Sequence, residues 1–479
     1  MKIIISLLVT SLASMALTGG ATATPLLDSW LTDYSGQYAR VYLTDTDKNN
    51  GMSYSTWARG ALSQSLPAYA GVREIYSSAN WVYVRSSGLG SHVLGPWYLN
   101  LAHSAVFPNV PINTKALYRF PRTPATNNVH ALTGGGPIGY FVDGVSMFDS
   151  RDAFYWNGAG EVNGAGSWNR DAWVNESVTF DTAYAHQPGS GQYHYHANPI
   201  ALRCLLGDHV DFNAVTKSYA ESTNTAPQHS PILGWVRDGF PIYGPYGYAK
   251  ATNASSGVRR MISGYVLRNG QNGADNLTAT GRTAIPAWAT RGGETAATGP
   301  AVSGAYPLGR YLEDNAYLAD LTNSITGQRY QQGTDFDLNE WNTRWCVTPE
   351  FPSGTWAYFV CISSNGAPVF PYNISRTYFG QATGGNTTLS EVVTTNFVGG
   401  ANSALILAAP VVSNNVVTLT WSATEGGTYR VEASGNLATW TTNATGIAAL
   451  KNKGGITAAT VGTNQFFRAV RTAVATYDP

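Results

Sequence analysis

The chain has 479 residues, enough for two or three domains. Its 29 Lys and Arg balance 29 Asp and Glu, and only 12% of residues are charged, which excludes a basic nucleic-acid footprint and an acidic tail. So little charge with abundant Gly, Tyr and Trp suits extracellular β structure, where turns take Gly and sheets accept aromatics.

At the N-terminus, Lys2, an apolar stretch from Ile3 to Leu17 and the small residues Ala21-Thr22-Ala23 predict a signal peptide over residues 1–23. The expected location is secreted, periplasmic or cell-surface. That apolar stretch is short for a membrane span and no other run approaches span length, so no transmembrane segment is expected. Residues 24–380 form the predicted main domain, in which Tyr54 to Leu66 is the best helix candidate. Elsewhere short alternating runs such as Trp81-Val82-Tyr83-Val84 sit between Gly, Pro, Asn and Ser clusters. The expected fold is all-β: mainly antiparallel sheets with long Gly/Pro-rich loops and few short helices, plus a small C-terminal β-sandwich.

Gly134-Gly135-Gly136-Pro137-Ile138-Gly139 formally fits a dinucleotide-binding fingerprint. Pro137 and a strand pattern replace the helix that such a site needs, so it is a false match. Ile138–Phe148 then aligns without gaps to Leu233–Tyr243, each copy running aliphatic-Gly-aromatic, Asp-Gly, apolar alternation, aromatic. Both copies read as strand, Asp-Gly turn, strand, and together they predict a duplicated pair of hairpins around an approximate twofold.

Asp152, Asp171, Glu176 and Asp181 share a stretch with Trp156, Trp168 and Trp173. Acids beside tryptophan platforms suit glycan binding or hydrolysis, and a cell-surface or polysaccharide partner is the alternative they raise. An adhesion or structural module with no reactive site is a further alternative.

The strongest chemical signal is Tyr193-His194-Tyr195-His196. On a strand the two imidazoles share one face and Tyr193 and Tyr195 the other. His186 precedes a Pro-Gly-Ser-Gly turn that folds it back toward the pair, and His229 offers a fourth nitrogen. Asp181 and Asp238, with Tyr193 and Tyr195, are candidates to support these ligands from behind. Imidazoles in this grouping suit copper or zinc. His92, His103, His130 and His209 show no spacing that ties them to the cluster.

Gly191-Gln192-Tyr193-His194-Tyr195-His196-Ala197-Asn198-Pro199 resembles the signature of the YHYH protein family. So do the block from His229 through Tyr243-Gly244 and the upstream block of Gly136-Pro137-Ile138-Gly139 with Asp143-Gly144-Val145. The resemblance covers about Asp28 to Gly380, and His186 matches the family's histidine ahead of the signature. It implies no activity. Many members carry a second Tyr-His-Tyr-His, where this chain has Trp356-Ala357-Tyr358-Phe359, so one histidine-rich centre at most is expected.

Cys204, Cys346 and Cys361 allow one disulfide and a leftover thiol, pairing Cys346 with Cys361 or Cys204 with Cys346. Residues 381–404, rich in Gly, Thr and Asn, read as a linker. Over residues 405–479, Val416–Trp421, Thr428–Glu432 and Phe466–Val470 alternate at period two and resemble a fibronectin type III-like sandwich, with Trp421 and Tyr429 in its core.

Overall fold

A computed structural model describes residues 24–414, 416–459 and 466–479. The predicted signal peptide lies outside the described residues. The architecture is mostly β, with several antiparallel sheets and a few short helices.

Three strands, β1 (Val72–Ser77), β2 (Trp81–Ser86) and β3 (Ala116–Pro121), form an antiparallel meander. Eight of the later strands build the central sheet: β4 (Gly139–Phe141), β5 (Ser146–Met147), β6 (Ala185–His186), β7 (His194–Tyr195), β8 (Ile232–Val236), β9 (Pro241–Tyr243), β10 (Thr343–Cys346) and β11 (Thr355–Phe359). They make one sheet in the order β6-β7-β5-β4-β8-β9-β11-β10. The stretch read as a linker then supplies β12 (Gly385–Asn386), which pairs with β3, and β13 (Thr394–Val398), which pairs with β1. Low hydrophobicity hid these strands, because both take the edges of a sheet whose core is already filled from β1 to β3.

The central sheet carries the duplication in its register. β4 and β8 pair antiparallel with Tyr140 opposite Trp235, Gly139 opposite Val236 and Phe141 opposite Gly234. Those are equivalent repeat positions exchanged about one point, as a twofold through the sheet requires. Both Asp-Gly turns place their glycine at positive φ, at Gly144 and Gly239. Outward from the seam the halves continue to match. β5 pairs parallel with β7, Met147 opposite Tyr195, and β9 pairs parallel with β11, Ile242 opposite Tyr358. β6 and β10 close the two edges, with His186 opposite His194 and Arg344 opposite Ala357. Even the turn into each edge strand repeats. Asp181 Oδ1 accepts from the amides of Ala183 and Ala185, as Asn339 Oδ1 accepts from those of Trp341 and Thr343.

Two sequence expectations fail here. Tyr54–Leu66 is no helix but a hairpin of Trp57–Arg59 and Leu62–Gln64, turning at Gly60, whose φ of 60° a side chain would strain. No disulfide joins the cysteines, all three of which are free. Cys346 lies opposite Thr355, whereas Cys361 follows β11 at the far end of that hairpin. Six residues at about 3.3 Å each separate them by roughly 20 Å, against a Cα limit near ~7 Å for a bridge. The Cys361 thiol instead donates to Asn342.

The C-terminal segment has β14 (Val411–Ser413), β15 (Val416–Ser422), β16 (Gly427–Ser434), β17 (Thr441–Ala448), β18 (Lys453–Ala459) and β19 (Phe466–Val474). They form two three-stranded sheets, β14-β15-β18 and β17-β16-β19. Trp421 and Tyr429 are buried between them with Val417, Leu419 and Val431, as core rather than ligand platform. This unit is docked on the N-terminal region. The Glu425 carboxylate pairs with Arg40 and accepts from the Tyr38 amide, and Asp478 accepts from Lys115 and Gln64.

Candidate metal centre

β7 is two residues long, yet it places His194 and His196 on one face and Tyr193 and Tyr195 on the other. The turn Pro188–Gly191, closed by the Gly191 amide on the Pro188 carbonyl, returns the chain so that β6 lies beside β7. His186, His194 and His196 are all buried, and one ring nitrogen of each lies within 4.8 Å of the others. Phe148 stacks on His194 at 3.8 Å and Phe180 meets His186 edge-on at 4.7 Å, so aromatic walls fix the rings.

The partners of the δ nitrogens assign the tautomers. His194 Nδ1 lies 2.9 Å from the Gln192 carbonyl and His196 Nδ1 lies 2.7 Å from the Asp149 carbonyl. A carbonyl only accepts, so both Nδ1 atoms carry the proton. His186 Nδ1 is 2.7 Å from Thr179 Oγ1, whose own hydrogen is directed to the Glu176 carbonyl, so His186 donates there as well. Three Nε2 lone pairs are left. Two of them, on His194 and His196, face each other at 2.9 Å. Glu176 Oε2, buried and able to accept here only from a protonated ring, stands 3.2 Å from His196 Nε2 and 3.7 Å from His186 Nε2. Lone pairs and a carboxylate oxygen brought together in low dielectric require a positive charge among them, either a proton or a metal ion.

Electrostatics divide the three rings. Burial, reinforced by its histidine neighbours, holds His194 well below the ordinary value. Burial likewise pushes His186 down to about 4. Burial also pulls on His196, but the hydrogen bond and charge of Glu176, with the Asp149 carbonyl, outweigh it and hold that ring above the usual histidine value. Glu176 is depressed despite its burial because of the same His196 contact.

The other sequence candidates go elsewhere. His229 donates Nδ1 to the Ser230 carbonyl and packs against Tyr243, Tyr248 and Phe359. It therefore stands in the second half of the sheet. By the register above, Arg344, Ala357 and Phe359 occupy the places of His186, His194 and His196. There the buried Arg344 guanidinium lies 5.4 Å over the Phe359 ring and donates to the Tyr248 carbonyl, so a fixed cation fills the twin position. Asp181 buttresses the far face: it accepts from the Tyr193 hydroxyl at 2.7 Å and from the Gly95 amide, and touches no histidine of the group. Asp238 is its half's turn residue and accepts from the Tyr358 hydroxyl at 2.6 Å. Tyr195 is buried against Phe141.

Glu176 was legible only as one of four acids near tryptophans. It ends a short helix, Ala172–Glu176, whose N-cap Asp171 accepts from the Val174 amide and from the Tyr372 hydroxyl. Trp168 is fully buried and Asp152 pairs with Arg170 at 2.7 Å, while Trp156 and Trp173 are partly buried against the same cluster as Trp168.

A cavity of about 690 Å³ opens beside the histidines, walled by Phe107, Phe148, Arg151, Asp152, Glu176 and Gln187 among others. Among the described residues no helix is long and apolar enough to cross a membrane. No curated protein and no solved structure matches the chain. A family model described as YHYH protein matches residues 117–370, which take in both hairpins, all three clustered histidines and the second-half strands, and the chain belongs to the YHYH protein family.

Proposed function

We propose that the protein binds one zinc or copper ion through Nε2 of His186, His194 and His196, with Glu176 Oε2 as the anionic fourth ligand. The observation that carries this reading is the pair of Nε2 lone pairs 2.9 Å apart, each fixed by a carbonyl on the opposite ring nitrogen. Ligand nitrogens about 3.3 Å apart belong to a tetrahedral zinc with bonds of about 2.0–2.1 Å. Three neutral imidazoles and one carboxylate leave a divalent ion with a net charge of +1, which the adjoining cavity exposes to small molecules. The C-terminal unit fits a fibronectin type III-like spacer, and the N-terminal sequence fits export with a mature start near Thr24.

Zinc titration of untagged full-length protein, stripped of metal first, tests the centre. One equivalent is expected for the wild type and none for His194→Ala/His196→Ala with an unchanged far-ultraviolet spectrum. A wild type that takes up neither zinc nor copper would leave a proton on His196 as the charge that holds the rings, and the metal reading would be wrong.

A further inference from the structure

The charged groups around the cavity are largely matched to one another, and Arg151 is the one most weakly engaged. Asp149 Oδ2 accepts from Thr133 and from Arg151 Nε, each at 3.0 Å. Arg376 is taken up by Glu294 and by the carbonyl and hydroxyl of Thr133. Asp152 faces Arg170, and Glu176 faces the histidines. Arg151 keeps the most unused capacity: its Nε is bonded, but neither Nη donates to any described residue, although the side chain is only 8% exposed. A guanidinium this desolvated, presenting a free fork of N–H groups to a cavity, is built for an oxyanion.

We propose that the cavity takes a small organic anion, a carboxylate or a phosphate monoester, gripped by the Arg151 guanidinium beside the histidine centre. Asp149 ties the two parts together, since its carbonyl holds His196 while its carboxylate holds Arg151. The fully buried Gln187 donates its amide to the Asn109 carbonyl and leaves Oε1 without a partner among the described residues, an acceptor for a hydroxyl or amine on the ligand. Phe107, Leu132 and Phe148 supply an apolar wall, and the bare backbone of Gly134 to Gly136 leaves open space where side chains would stand. A volume of about 690 Å³ accommodates a ligand of metabolite size.

This inference deepens the metal reading by naming what binds beside the ion, and its test separates the two. Full-length protein, zinc-loaded and zinc-free, is titrated calorimetrically with benzoate, phenylphosphate and the uncharged benzyl alcohol. Binding of one or both anions in preference to benzyl alcohol is expected, and the tighter of the two assigns the head group. Arg151→Met should weaken that anion roughly 10- to 100-fold, the loss of a charge-assisted contact, while zinc uptake stays at the wild-type level. Arg151→Lys, which keeps the charge next to Asp149, should retain part of the binding and guards against a folding defect in the Met variant. Equal affinity of wild type and Arg151→Met, binding of neither anion, or benzyl alcohol binding as tightly as both would overturn the proposal. Failure to take up either zinc or copper would overturn the metal reading alone, because dependence on Arg151 is also measured in metal-free protein.

Discussion

A histidine becomes a directional ligand when its other nitrogen is held, and here three rings are held by two backbone carbonyls and one hydroxyl. Only the hydroxyl is open to mutation. Thr179→Ala should lower zinc affinity about 10-fold or more by freeing His186 to rotate, read by competition with a chromophoric chelator. The alternation of His194 and His196, and the turn that returns His186, were legible in the sequence because both are local. Glu176 and the carbonyl of Asp149 were not, since one arrives on a separate helix and the other is backbone that any residue would supply. Asp143 offers a different test. Burial raises its carboxyl to about 7, and Oδ2 has no partner among the described residues. Its folded value exceeds the unfolded one, so its contribution to stability is complete below about pH 4 and is lost as pH rises through 7. Asp143→Asn should remove that dependence and stabilise the protein at pH 8 relative to wild type, measured by urea unfolding at pH 5 and pH 8.

At the scale of strands, the central sheet is built twice and keeps its histidines once. Period-two patterning and the Asp-Gly turns exposed the paired hairpins, but the partners of β5 and β9 are distant in sequence, so the match of His186 to Arg344 emerged only from register. This also explains His229, which lies four residues before its repeat as Gly134 does before the first. It belongs to the twin position, across the twofold from the centre it was expected to join. Arg344→His/Ala357→His/Phe359→His should raise zinc uptake from one equivalent to two, counted by metal analysis. At the seam, a methyl group on Gly234 would meet the Tyr140 carbonyl oxygen at 2.7 Å, and one on Gly139 would press on that of Trp235. Gly234→Ala should therefore cost about 1–3 kcal/mol in urea unfolding.

Over the whole molecule, the C-terminal sandwich is fastened by charges set into the N-terminal region. Glu425→Ala would leave Arg40 and the Tyr38 amide without their acceptor. The variant should release the sandwich sooner in limited proteolysis, with first cuts near Val392, which is 95% exposed between β12 and β13. Where the seam joins two look-alike hairpins, each seam strand has nearly the same partner on offer in a neighbouring chain as in its own. β4 of one molecule can meet β4 of another much as it meets β8. Refolding at high concentration is thus expected to yield domain-swapped dimers, with the fraction falling on dilution and insensitive to reductant because no disulfide takes part.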